Sequence, residues 1–62
     1  MCLSTIYVDH ATEPIGSNIC KIRVENGEII ASDIMGREVR IVGVIDDIDL
    51  IENTVRIRTS EK

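Results

Sequence analysis

A chain of 62 residues is a single domain, and one this short buries only about 60% of the surface its unfolded form exposes. Lys and Arg total 7 against 11 for Asp and Glu, a formal net charge of −4, which removes the basic excess that phosphate-binding surfaces usually carry. Tyr7 is the only aromatic residue, so isoleucine and valine do nearly all the burying, and a thin aliphatic core in a short chain favours a dimer.

The elements follow in order. Leu3–Val8 reads as a strand, with β-branched Thr5, Ile6 and Val8 suited to a pleated surface. Asp9–Asn18 carries Pro14, Gly16, Ser17 and Asn18, a cluster that marks a loop. In Ile19–Glu25, Cys20, Ile22 and Val24 alternate with Lys21, Arg23 and Glu25, the period of a half-buried strand with Cys20 on its core face. Asn26-Gly27 predicts a type I′ hairpin, because both residues tolerate φ > 0. Glu28–Ile34 is the return strand, its inward face left open by the adjacent Ile29 and Ile30. Gly36 breaks the chain before Glu38–Ile45, where Val39 and Ile41 alternate with charges and Gly43 marks a bend that would let one strand serve two sheets. Asp46, Asp47 and Asp49 form an acidic bend, Glu52-Asn53 a turn, Val55–Arg58 a final strand, and Thr59–Lys62 a frayed tail. Five or six short strands with turns every ~8–12 residues predict an all-β domain over 1–62. An SH3-like or Sm-like half-open barrel, forming a homodimer, fits the length.

The amino terminus shows no basic segment followed by an apolar core of signal-peptide length. No apolar run approaches the ~20 residues of a membrane-spanning helix. A soluble cytoplasmic protein is expected, with Cys2 and Cys20 as thiols. Enzyme constellations are missing: there is no P-loop, dinucleotide fingerprint or paired-cysteine zinc knuckle, and one histidine leaves little room for a catalytic triad. No enzyme is expected. The carboxylates Asp46, Asp47 and Asp49 read as a solvated bend rather than a hard-cation site, which wants more widely spaced oxygen ligands.

Cys2 stands out by position. If Met1 is removed, the new α-amine and the Cys2 thiolate can close a five-membered chelate ring. If Met1 stays, its amine, the Cys2 amidate nitrogen and the thiolate can chelate together. Either N/S donor set suits tetragonal or square-planar Ni(II) or Cu(II), whereas zinc prefers a tetrahedral site. On the residues alone a free cysteine is more often a small buried hydrophobe, and for Cys20 that reading is stronger still. His10, at a strand-to-loop edge, reads as a solvated surface residue with at most an auxiliary role. Among Arg23, Arg37, Arg40, Arg56 and Arg58, the pair Arg56 and Arg58 shares a strand face, with Arg40 nearby if those strands pair. Such a stripe is the minimum for an Sm-like RNA-binding module, the alternative reading. Stacking platforms other than Tyr7 are missing, and cross-strand pairing with glutamates is the better use of these arginines.

Four segments carry a resemblance along nearly the whole chain. They are Met1-Cys2-Leu3-Ser4-Thr5-Ile6-Tyr7, Val24-Glu25-Asn26-Gly27, Asp33-Ile34-Met35-Gly36-Arg37 and Ile48-Asp49-Leu50-Ile51-Glu52-Asn53. Together they resemble the CooT family, small nickel-binding accessory proteins linked to maturation of carbon monoxide dehydrogenase. The Met-Cys-Leu-Ser opening is the most specific part. The resemblance implies a homodimer holding one Ni(II) between protomers through Cys2, with Met1 as a candidate contributor of backbone nitrogen. It also implies a nickel-enzyme client such as carbon monoxide dehydrogenase, and it makes Cys2 a ligand where the residues alone favour a buried thiol. Members of the family have also been labelled RNA-binding, which keeps the alternative in view.

Overall fold

β-branched side chains at alternate positions define the strands of the computed structural model, which describes residues 3–59. In chain order these are β1 (Ser4–Val8), β2 (Gly16–Glu25), β3 (Glu28–Asp33), β4 (Glu38–Asp49) and β5 (Thr54–Thr59). Each pairs antiparallel with the next. The ring is completed by parallel pairing of β1 with β5, from Thr5↔Thr54 to Val8↔Ile57. The small all-β barrel expected from the sequence is therefore present, and it is closed rather than half-open.

Ile6, Ile19, Ile29, Ala31, Ile41, Val55 and Ile57 form the buried core, with Val8, Ile22, Val39 and Ile45 packed against it. Burying a Val or Ile side chain is worth about 1.5–3 kcal/mol, and without aromatic rings this handful must offset most of the ordering entropy. Ile30 is also buried, at 1% exposure, yet it lies outside that cluster. In register it stands between Arg23 of β2 and Arg40 of β4 on the outer face. Arg23 reaches Glu25 (2.9 Å) and Glu38 (3.9 Å), and Arg40 reaches Glu28 (3.2 Å) and Glu38 (3.9 Å). The long arginine stems flank Ile30 while their heads pair above it. The Ile29–Ile30 ambiguity is resolved by burying both, on opposite faces of the sheet.

Among the described residues, every non-glycine residue with positive φ is Asp or Asn: Asp9 (54°), Asn18 (57°), Asn26 (48°) and Asn53 (59°). Their short polar side chains tolerate the left-handed region better than other residues. Asn26 with Gly27 (φ 77°) makes the expected hairpin between Glu25 and Glu28.

Three expectations need correction. The loop after β1 is shorter than expected, because Gly16 already pairs with Ile6 and Gly16–Asn18 belong to β2. Cys20 is not on the core face. Ile19 pairs with Asp33 and Lys21 with Ser32, so Cys20 is the extra residue of a bulge, which buries Ile19 and leaves Cys20 exposed. The acidic segment is not a bend, since β4 runs through Asp46, Asp47 and Asp49 and absorbs them with a bulge between Ile45 and Asp47. The strand changes partner from β3 to β5 at Val42–Gly43, as sharing between two sheets requires. There a Cβ on Gly43 would run into the carbonyl oxygen of Arg58, so this glycine serves close strand approach.

Candidate metal-binding end of the barrel

The two residues expected to bind metal, Cys2 and Met1, lie outside the described residues. The structure fixes what surrounds the point where their segment joins the barrel. Ser4 pairs with Ile19 of β2, and the Thr5 amide donates to the Asn53 carbonyl at 3.0 Å. The start of β1 is thus held between β2 and the turn joining β4 to β5. Leu3 is half-buried, and Cys20 lines a shallow hollow with Ser4 and Ile22. The bulge that expels Cys20 from the core consequently places the chain's second thiol beside the start of β1.

The neighbouring turn, Leu50–Asn53, is built by one carboxylate. Asp49 Oδ1 accepts from the amides of Ile51 and Glu52, both at 3.0 Å, and Asn53 takes the left-handed conformation that re-enters β5. This frame presents Leu50 (79% exposed) and Ile51 (90%) to solvent, with Ile48 (51%) alongside on β4. The only trace of this surface in the sequence is the Leu-Ile pair between Asp49 and Asn53.

The opposite end of β1 is polar. Asp9 Oδ2 accepts from the Thr59 hydroxyl at 2.6 Å, and Oδ1 accepts from the Thr59 amide at 2.9 Å. The Asp9 amide donates to the Ile57 carbonyl at 2.7 Å, and Arg56 Nη1 donates to the Asp9 carbonyl at 2.7 Å. The hydroxyl and then the amide of Thr59 hold the Asp9 carboxyl below its ordinary value, because both bonds favour the ionised form. Sequence reading missed Asp9, since its partner lies in the last strand. Asp33 behaves similarly within one turn: it accepts from the Arg37 amide (2.9 Å), the Arg37 Nε (3.0 Å) and the Met35 amide (2.9 Å), and its carboxyl is likewise held down.

The remaining candidates are dispersed. His10 is exposed and follows β1, at the far end from Ser4; it lines a groove with Tyr7, Asp47, Glu52 and Arg56. Among the described residues, no three or more His, Cys, Asp or Glu side chains are gathered so as to hold a metal ion. Arg56 and Arg58 share a face of β5, but Arg40 is not beside them, because β4 meets β5 only from Gly43 onward and Arg40 faces Ile30. Arg56 lies over the Tyr7 ring, 5.1 Å from its centroid, and Arg58 Nε is 3.5 Å from Asp46 Oδ1. Of the arginines of the RNA-binding reading, Arg40 pairs with glutamates as expected, Arg58 meets an aspartate, and Arg56 engages the Tyr7 ring and backbone carbonyls rather than a carboxylate.

Comparison with known proteins follows the same lines. The sequence model of a family described as "CO dehydrogenase accessory protein CooT" matches residues 1–58. No curated protein matches the chain. Among solved structures, that of a CooT candidate from Carboxydothermus hydrogenoformans superposes with a TM-score of 0.83, covering 97% of this chain and 100% of the other at 11% identity. At that identity the likeness concerns the fold. No helix among the described residues is long and apolar enough to cross a membrane.

Proposed function

The chain belongs to the CooT family of CO dehydrogenase accessory proteins, and from that premise we propose that it binds Ni(II) through Cys2, one ion per homodimer. Its role is to support maturation of a nickel enzyme such as carbon monoxide dehydrogenase, with nickel as cargo. The observation that carries this reading is that the family match begins at residue 1, so Cys2 falls inside it. The donor chemistry is consistent. A thiolate at the second position lies next to either a free amine or an amidate and amine pair, depending on whether Met1 is retained. Two such termini would supply the nitrogen and sulfur donors of a four-coordinate tetragonal site.

Native mass spectrometry of the untagged protein, with and without Ni(II), tests the proposal directly. The expected species is a dimer that gains one nickel, and its mass also reports whether Met1 is present. Cys2→Ser should abolish uptake while leaving the fold intact. An unchanged nickel affinity in that variant would remove the proposal. Because the ligand must be a thiolate, affinity should also fall as pH is lowered, with protons released on binding at neutral pH.

A further inference from the structure

We infer that the groove over the outer face of β1, β5 and β4 binds a basic α-amino acid, with its carboxylate on Arg56 and its two cationic groups on Asp47 and Glu52. The site involves neither Met1 nor Cys2 and is independent of the nickel reading.

Tyr7, Arg56 and Asp47 stand side by side on adjacent strands, because Arg56 pairs with Tyr7 across β1 and β5 and with Asp47 across β4 and β5. The loop after β1 adds His10 and Thr12 to the lining, and the turn before β5 adds Glu52. Loops held on a rigid sheet are where binding residues concentrate. The groove has a volume of about 590 Å³, inside the ~300–1,000 Å³ range of small-ligand sites.

Arg56 differs from the other arginines. Arg23, Arg37, Arg40 and Arg58 each meet a carboxylate, at 2.9, 3.0, 3.2 and 3.5 Å. Arg56 is half-buried and pairs with no carboxylate among the described residues. Its Nη1 donates to the carbonyls of Asp9 (2.7 Å) and Ala11 (3.3 Å), and its guanidinium lies over the Tyr7 ring. The head is thus fixed, while Nε and Nη2 donate to no described residue. Those two nitrogens form the planar fork that takes a carboxylate bidentately. Drawn towards Tyr7 on β1, the head turns away from Asp47 on β4, so opposite charges face the groove instead of each other. Asp47 and Glu52 are exposed, and neither carboxylate takes part in the ion pairs of the other arginines.

A plain anion would be repelled by the two carboxylates, and a plain cation by the guanidinium. A ligand with the opposite pattern, one carboxylate and two cationic groups, matches all three. The chain's net charge of −4 adds attraction for such a ligand, which is positive overall.

Amide NMR spectra of the full chain, titrated with L-lysine in about 0.1 M salt, test the proposal. The amides of Tyr7, His10, Glu52 and Arg56 should shift saturably. Cadaverine, which lacks the carboxylate, and Nα-acetyl-L-lysine, which lacks one cation, should each bind at least about tenfold more weakly. Cadaverine probes the role of Arg56 without disturbing its bonds to Asp9 and Ala11. The double variant Asp47→Asn/Glu52→Gln should lose at least about tenfold in L-lysine affinity while its other amide signals stay in place. If that variant fails to fold, Glu52→Gln alone carries the test, with a smaller loss in the same direction. No saturable shift with L-lysine, equal binding of cadaverine, or undiminished affinity in the carboxamide variant overturns the proposal.

Discussion

The two ends of β1 meet the rest of the barrel by opposite means. At the Asp9 end, a carboxylate, a hydroxyl, an arginine and four backbone groups satisfy one another within 2.6–2.9 Å, and the first strand is clasped to the last. At the Ser4 end the Thr5 amide donates to the Asn53 carbonyl, Ser4 pairs with Ile19 and Thr5 with Thr54, and the adjoining turn presents aliphatic side chains to solvent. One end is held by charge and hydrogen bonds, and the other leaves apolar side chains in solvent. Substitutions at the polar end should register as loss of fold stability, whereas those of the exposed turn side chains should register little.

The largest effect should come from between the two ends. Ile57→Ala empties a fully buried site and should cost about 2–5 kcal/mol by urea unfolding. In a domain of this size that approaches the whole stability, and a cost below 1 kcal/mol would mean the core is not packed as described. Next is Gly43→Ala, opposite Thr59 at the polar end, where the added methyl must push β4 from β5. An overpacking cost of about 1–3 kcal/mol is expected, read as a lower urea midpoint.

Asp9→Asn sharpens the comparison through pH. Hydrogen bonds from Thr59 depress the folded-state value of Asp9 below the 3.8 of the free side chain, so the unfolded state binds the proton first. The stabilisation is fully present above the unfolded value and is lost as pH falls through the lower folded value. The wild type should therefore exceed Asp9→Asn in urea midpoint at pH 7, with the gap closing below about pH 4. A gap that stays constant between pH 7 and pH 3 would show that the carboxylate charge is irrelevant to closure. The smallest change should be Leu50→Ser. Measured by urea unfolding of dilute protein, it should leave stability within about 0.5 kcal/mol, because the side chain already faces solvent.

Much of the architecture could be read locally. Alternation in Ile22–Glu25, Val39–Ile41 and Val55–Arg58 marked true strands, and Asn26-Gly27 specified its hairpin. Errors arose where a single residue breaks the period. The bulges at Cys20 and Asp46 shift the phase of everything beyond them, and neither position has a composition that announces it. The Asp9–Thr59 clasp and the β1–β5 closure join residues some fifty positions apart, beyond the reach of any periodic signal. Ile30 misled for another reason, since its cover is made of arginine stems and so reads as surface. At the candidate site, Cys2 could be singled out by position, but only the resemblance gave it weight. The donors proposed for it would come from the chain terminus rather than from spaced side chains, and terminal chelates leave no motif.

The parallel pairing of β1 with β5 also has a kinetic meaning. As the polypeptide leaves the ribosome, β1 to β4 can associate through neighbouring antiparallel pairs, while closure of β1 against β5 must wait until β5 has emerged. Contacts of such long sequence separation slow folding, because the intervening loop must be closed before they contribute. Closure of the barrel is therefore its last step during synthesis. The rate of that closure, more than equilibrium stability, would limit how quickly fresh protein reaches its final form.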